Sequence, residues 1–286
     1  HGGARHTNNR GGSAATDYTK GRLKMLPAGH NRIYTTLTDT TKTIAATISV
    51  IAAMLSSSAY AQDSSDTKGL YFEAELGAAS LSDPVVTYYD AGGTFNGTGT
   101  TDTATARLDT KSAATFGGSL GYDFGSIRAE LAVSYGKHKI DSLTFQSLNG
   151  APVTLTAADR ADVCDYLEAD TCGGSGNTFT IPGSRVRQLS AMGNLWLDLP
   201  VGKSIVPYVG GGVGISGFEV DGEGKGKFAW QLGAGVAFQL SDSIALTGNY
   251  RHREVAKSTI EYDASSGFTV SKLKTDSFTA GIRLTF

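Results

Sequence analysis

From residue 69 to the C-terminus the chain carries eight runs in which apolar and polar side chains alternate at period two, the pattern of strands with one apolar face. In the first, 69–79, Leu70, Phe72, Ala74, Leu76 and Ala78 oppose Tyr71, Glu73, Glu75 and Gly77. The second and third, 111–124 and 127–137, are joined by a tight turn and predict a hairpin. The others span 185–199, 205–216, 228–239, 244–254 and 277–286. In the last, Phe278, Ala280, Ile282, Leu284 and Phe286 share one face, while Ser277, Thr279, Gly281, Arg283 and Thr285 share the other.

The number of strands is even, and the links between them alternate in length. Turns after strands two, four and six are short, whereas the others run from about ten residues to nearly fifty. A transmembrane barrel shows this asymmetry, with short turns on one side and long loops on the other. Both termini then lie on the short-turn side. Aromatic residues such as Phe116, Tyr122, Phe124, Tyr135, Trp230, Phe238 and Phe286 fall on the apolar faces, many near strand ends, where interfacial girdles sit. A soluble sandwich accepts the alternation too, but does not ask for that placement.

Upstream, Met25 opens a segment with Arg32 and Lys42, an apolar stretch at 44–55, and small residues ending Ala59-Tyr60-Ala61. This is the order of a secretory signal peptide, with cleavage expected before Gln62. Three parts follow: 1–24 as an upstream segment foreign to the fold, 25–61 as the leader, and 62–286 as the barrel domain. There is no run of 18 or more apolar residues, so no helical span is expected. Residues 62–286 hold 18 Lys and Arg against 25 Asp and Glu, a balance of −7. An acidic exported chain without a basic, aromatic-interleaved patch is not expected to bind nucleic acid.

The terminal order Thr279-x-Gly281-x-x-Leu284-x-Phe286 resembles the C-terminal assembly signal of bacterial outer-membrane β-barrels. With the leader, the loop asymmetry and the stretch PYVGGGVG at 207–214, residues 69–286 resemble the small outer-membrane proteins of the OmpA/OmpX and opacity-like surface-antigen type. The resemblance implies an all-β fold, an eight-stranded antiparallel up-and-down transmembrane β-barrel with long extracellular loops and short periplasmic turns. It also implies the bacterial outer membrane as the location and a monomer as the state. The expected partners are outer-membrane lipid, the barrel-assembly machinery acting on the last strand, and host or phage surface molecules meeting the loops. The implied role is structural or interactive: membrane integrity, adhesion, surface display. A narrow channel and a lipid-modifying enzyme are the competing readings.

An eight-stranded barrel is just wide enough for side chains to fill it. Glu73, Glu75, Arg128, Glu130, Arg251, Arg253 and Arg283 fall on inward faces, four cations against three carboxylates, and predict an interior ion-pair network. The inward glycines 210, 212, 214, 233 and 235 are expected to make room for Trp196, Tyr71 and the arginines. Two glycine motifs fail on context. Gly212-x-Gly214-x-x-Gly217 precedes a strand, with no helix to receive a pyrophosphate, and Gly202-Lys203-Ser204 lies in a turn.

His138 and His252 are the histidines of residues 62–286, each at a strand end among basic residues, and they read as solvated rim groups. No catalytic residue, metal site or cofactor is assigned. Cys164 and Cys172, an even pair in an exported chain, predict a disulfide in the longest loop, 137–184. Within that loop, 156–170 has helix-like composition with Thr156 as a cap. The first loop, 80–109, rich in Thr, Gly and Asp, reads as flexible and displayed.

Overall fold

The computed structural model describes residues 68–91, 101–166, 172–180, 183–199, 201, 204–220, 223–261 and 264–286. The expected upstream segment and leader lie outside the described residues. Eight long strands form one ring: β1 (Gly69–Leu81), β4 (Ala113–Asp123), β5 (Ile127–Leu148), β8 (Arg185–Asp198), β9 (Ile205–Val220), β10 (Glu223–Ser241), β11 (Ile244–Val255) and β14 (Leu273–Thr285). Each pairs antiparallel with its neighbours, and β14 closes against β1 with Phe72 opposite Leu284 and Leu81 opposite Thr275. Closure leaves no unpaired edge among these strands.

The alternation puts large apolar side chains outside. Leu76, Phe116, Leu131, Leu195, Val213, Leu232 and Phe278 are all exposed on the outer wall, while Glu73, Arg128, Glu130, Gln231, Arg251 and Arg283 are buried inside. A soluble sheet would reverse this. The β4–β5 turn depends on a glycine: Gly125 has φ of 109°, and its N–H donates to Asp123 Oδ1 at 2.7 Å. A side chain would be strained in that conformation.

Above the ring the long links carry secondary structure of their own. The upper part of β5 joins a second sheet in the order β12 (Ser258–Glu261), β13 (Ser266–Val270), β2 (Val85–Asp90), β3 (Asp102–Thr110), β5. Two short strands, β6 (Ala151–Pro152) and β7 (Thr178–Phe179), also pair with β5. The first loop, which reads as flexible from its composition, forms the β2–β3 hairpin over most of its described length. The expected link after strand five is largely strand as well, since β9 and β10 stay paired up to Val220 and Glu223.

This cap has a hydrophobic core, in which Val86, Leu108, Leu143, Phe145, Phe179 and Val270 are buried together. The helix of the longest loop, α1 (Ala157–Tyr166), starts with a reciprocal cap. Asp159 N–H donates to Thr156 Oγ1 at 3.2 Å, and Thr156 N–H donates to Asp159 Oδ2 at 2.8 Å. Cys164 and Cys172 are disulfide-bonded, with Cα atoms 5.8 Å apart, and Arg160 lies 4.3 Å over the Phe179 ring. Helix and loop are therefore pinned onto the cap core.

Candidate functional site

The barrel interior gathers charged side chains from most of the ring strands, and it is built in three layers. At the end nearest the short turns, Trp196, Tyr208, Ala237 and Ala245 form a plug, with the two rings packed edge-on at 5.6 Å. Glycines make this possible. A Cβ at Gly233 would lie 2.8 Å from Trp196 Cη2, and one at Gly235 would lie 2.5 Å from Tyr208 Cζ. Tyr71 owes its space to Gly121 on β4, not to the β9 and β10 glycines, since a Cβ at Gly121 would fall 2.5 Å from its hydroxyl.

Beside the plug, Arg128 is fully buried and holds Asp198 through both Nε (2.8 Å to Oδ2) and Nη2 (2.9 Å to Oδ1). Its guanidinium faces the rings of Tyr208 at 4.6 Å and Tyr71 at 5.6 Å, a cation–π geometry that adds about 0.5–2 kcal/mol depending on desolvation. Asp198 is the interior carboxylate that the charge pattern left uncounted. Its inward phase on the fourth strand was the available signal.

The middle layer is polar. Arg283 pairs with Glu73 at 2.9 Å, and Arg251 with Glu75 at 2.5 Å. Glu73 also accepts from Thr247 at 2.7 Å, and Glu75 from Thr279 at 2.9 Å. With Asp198 counted, four arginines face four carboxylates, and three direct pairs form.

The remaining two charges, Glu130 and Arg253, are joined indirectly. Asn194 Nδ2 donates to Glu130 Oε1 at 2.9 Å, Gln231 Nε2 donates to Asn194 Oδ1 at 2.7 Å, and Arg253 Nη2 donates to Gln231 Oε1 at 2.9 Å. Two amides thus relay a carboxylate to a guanidinium. Glu130 is further satisfied by the hydroxyls of Tyr71 at 2.9 Å and Ser119 at 3.3 Å.

The third layer is apolar. On strand after strand the inward file turns from polar to hydrophobic above Arg253: Leu81, Ile140, Val186, Phe218, Val255 and Leu273 are buried, and all belong to the core of the cap. Beneath them a cavity of about 20 Å³ is lined by His138, Gln188, Arg251, Arg253 and Thr275. His138 Nε2 and Arg251 Nε have no partner there, and the space suits a single water. His138 is therefore not a solvated rim group. It is completely buried, with Nδ1 3.3 Å from the Lys111 carbonyl. His252 is half-buried at the rim, its Nδ1 2.8 Å from Asp276 Oδ1.

Near the C-terminus, Thr279 and Gly281 face inward beside Glu75 and Glu73, while Leu284 and Phe286 face outward. Phe286 is 71% exposed and held by its N–H to the Leu70 carbonyl at 2.8 Å. Among the described residues there is no cluster of His, Cys, Asp and Glu able to hold a metal.

Residues 49–286 match the family model described as outer membrane protein beta-barrel domain. No curated protein sequence matches the chain. Among solved structures the fold is similar to Neisserial surface protein A, with 15% identity over 76% of this chain and 97% of that one, and a TM-score of 0.44. The outer membrane protein OprG from Pseudomonas aeruginosa shows 12% identity over 78% and 100%, with a TM-score of 0.44. The outer membrane protease OmpT from Escherichia coli shows 9% identity over 76% and 97%, with a TM-score of 0.37.

Proposed function

Because the chain belongs to the outer membrane protein β-barrel domain family, we propose that it works as a sealed outer-membrane anchor displaying a folded cap for contact with molecules outside the cell. The observation that carries this reading is the continuity of the cap core with the apolar layer across the lumen. A channel needs a wet path. Here an aromatic plug closes one end and a hydrophobic layer the other, with paired charges between them.

The enzyme reading needs a nucleophile or activated water beside a base. Among the described residues, neither His138 nor His252 is hydrogen-bonded to a serine, threonine or cysteine side chain. On this proposal, 25–61 is the export leader, the terminal strand with Thr279, Gly281, Leu284 and Phe286 is what the assembly machinery engages, and the cap meets host or phage surface molecules.

The test of sealing is electrical. The refolded protein, inserted into a planar bilayer, is expected to give no stepwise conductance, and a steady set of single-channel openings would overturn the proposal.

A further inference from the structure

The small cavity under the apolar layer contains two polar atoms that the lumen network leaves over, His138 Nε2 and Arg251 Nε, both on buried side chains. Other polar groups of its wall are engaged. Gln188 accepts from Thr275 at 3.0 Å and donates to Ser216 at 3.2 Å, and Thr115 donates to the Tyr135 carbonyl at 3.0 Å. Glu75 is held by Arg251 Nη1 and by Thr279. A glycine keeps the space beside the imidazole: a Cβ at Gly136 would stand 3.5 Å from His138 Nε2 and 3.8 Å from Thr115 Oγ1.

The other ring nitrogen fixes the tautomer. Nδ1 lies 3.3 Å from the Lys111 carbonyl, which only accepts, so Nδ1 carries the proton and Nε2 of the neutral ring is a bare acceptor. A water that accepts from Arg251 Nε and donates to His138 Nε2 satisfies both. A second proton on the ring removes that match, because both nitrogens then donate into one space.

It also unbalances the charge. His138 is faced by Arg251 and Arg253 of β11 and by Glu75 of β1, while the side chains that β4, β8 and β14 contribute to the wall, such as Thr115, Gln188 and Thr275, do not titrate. Glu75 already answers Arg251. Among the described residues Arg253 donates to Gln231 and Ser190, with no carboxylate in contact. A charged imidazole beside two guanidiniums and one carboxylate needs a further negative charge, since an unpaired buried ion is costly.

We propose that this cavity is a proton-linked halide site, holding chloride or bromide between His138 Nε2–H and Arg251 Nε–H when the imidazole is doubly protonated. Its volume of about 20 Å³ admits one water-sized guest and shuts out phosphate and sulfate. A halide brings the missing charge and has no hydrogens of its own to satisfy. The proton comes from solvent, and the relation is reciprocal: acid favours the halide, and the halide favours the charged ring.

The experiment is anomalous diffraction from the full chain, refolded in bromide so that the buried site equilibrates and crystallised from detergent at about pH 5 and about pH 8, the range over which a histidine ordinarily changes charge. A bromide peak between His138 and Arg251 is expected at the lower pH, and a several-fold weaker one at the higher. His138→Gln, whose amide donates at any pH, is expected to hold bromide equally at both. Gly136→Ala, whose methyl group meets its neighbours at ordinary contact distance, is expected to lose the peak while unfolding at an unchanged urea concentration.

The absence of a peak at about pH 5 overturns the proposal and leaves a water site. Equal peaks at both pH values in the wild type overturn it too, since the arginines alone would then hold the anion. So does a pH dependence that persists in His138→Gln, which would assign the proton to another group, or an undiminished peak in Gly136→Ala.

Discussion

Replacing Asp198 by Asn tests whether the barrel interior is a set of mutually satisfied charges. The substitution keeps the size of the side chain and removes its charge, leaving Arg128 buried beside the plug with no carboxylate in contact. At 2.8 Å and an effective dielectric constant of about 20, the gross attraction removed is about 6 kcal/mol. The asparagine oxygen still accepts one hydrogen bond, and the rings of Tyr71 and Tyr208 still face the guanidinium, so the net loss is smaller. Deleting one partner of a buried pair costs about 3–5 kcal/mol, which lowers the folding equilibrium constant by two to three and a half powers of ten.

The assay is urea unfolding in lipid vesicles, followed by the fluorescence of Trp196 and Trp230. Both reporters are well placed, one in the plug and one on the outer wall. The double variant Arg128→Met, Asp198→Leu removes both charges and is expected to lie within about 1–2 kcal/mol of wild type, because an apolar pair of similar volume carries no desolvation cost. If Asp198→Asn costs less than about 1 kcal/mol, or if the double variant is as unstable as the single, the reasoning from paired burial fails.

Gly235→Ala is expected to destabilise the barrel by about 1–3 kcal/mol through overpacking against Tyr208, whereas Gly193→Ala on the outer wall is expected to stay within about 0.5 kcal/mol; the same urea titration reads both. Phe179→Ala removes the ring that packs on Phe145 at 5.8 Å and under Arg160. It is expected to cost the cap about 3–5 kcal/mol, seen as trypsin cleavage within the cap while the heat-sensitive band of the barrel persists. Reducing the Cys164–Cys172 bridge, whose eight-residue separation corresponds to about 2.5 kcal/mol of chain entropy, is expected to make α1 exchange its amide hydrogens faster without changing exchange in β8 to β11.

The eight ring strands were legible because each buries one face and exposes the other to lipid, so the period-two signal runs unbroken over ten or more residues. The cap was not. Along β5 the buried phase runs through His138 and Ile140 and then jumps to Leu143 and Phe145, because the register shift between Asp109 and Thr110 inserts a bulge at Asp141. A reader following strict alternation stops at Lys137. In β3 the buried residues are Asp102, Ala104, Ala106 and Leu108 set among threonines, a composition that reads as a polar loop until its partner β5 is known.

Within the interior, the faces of Glu73, Glu75, Arg128, Glu130, Arg251, Arg253 and Arg283 followed from phase alone, but partners depend on register across strands far apart in sequence. Arg253 shows the limit most clearly. Its ion partner is reached through Gln231 and Asn194, two amides that carry no charge pattern to find.

The central claim, a ring crossing the membrane with its folded cap outside the cell, is tested most directly by labelling single cysteines in intact cells with a membrane-impermeant maleimide. Lys257→Cys lies on the exposed link between β11 and β12, and Asp242→Cys lies in the exposed turn between β10 and β11, at the opposite end of the barrel. The account predicts that position 257 is labelled in intact cells and position 242 only after the outer membrane is permeabilised. Labelling of position 242 in intact cells, or protection of position 257, would contradict it.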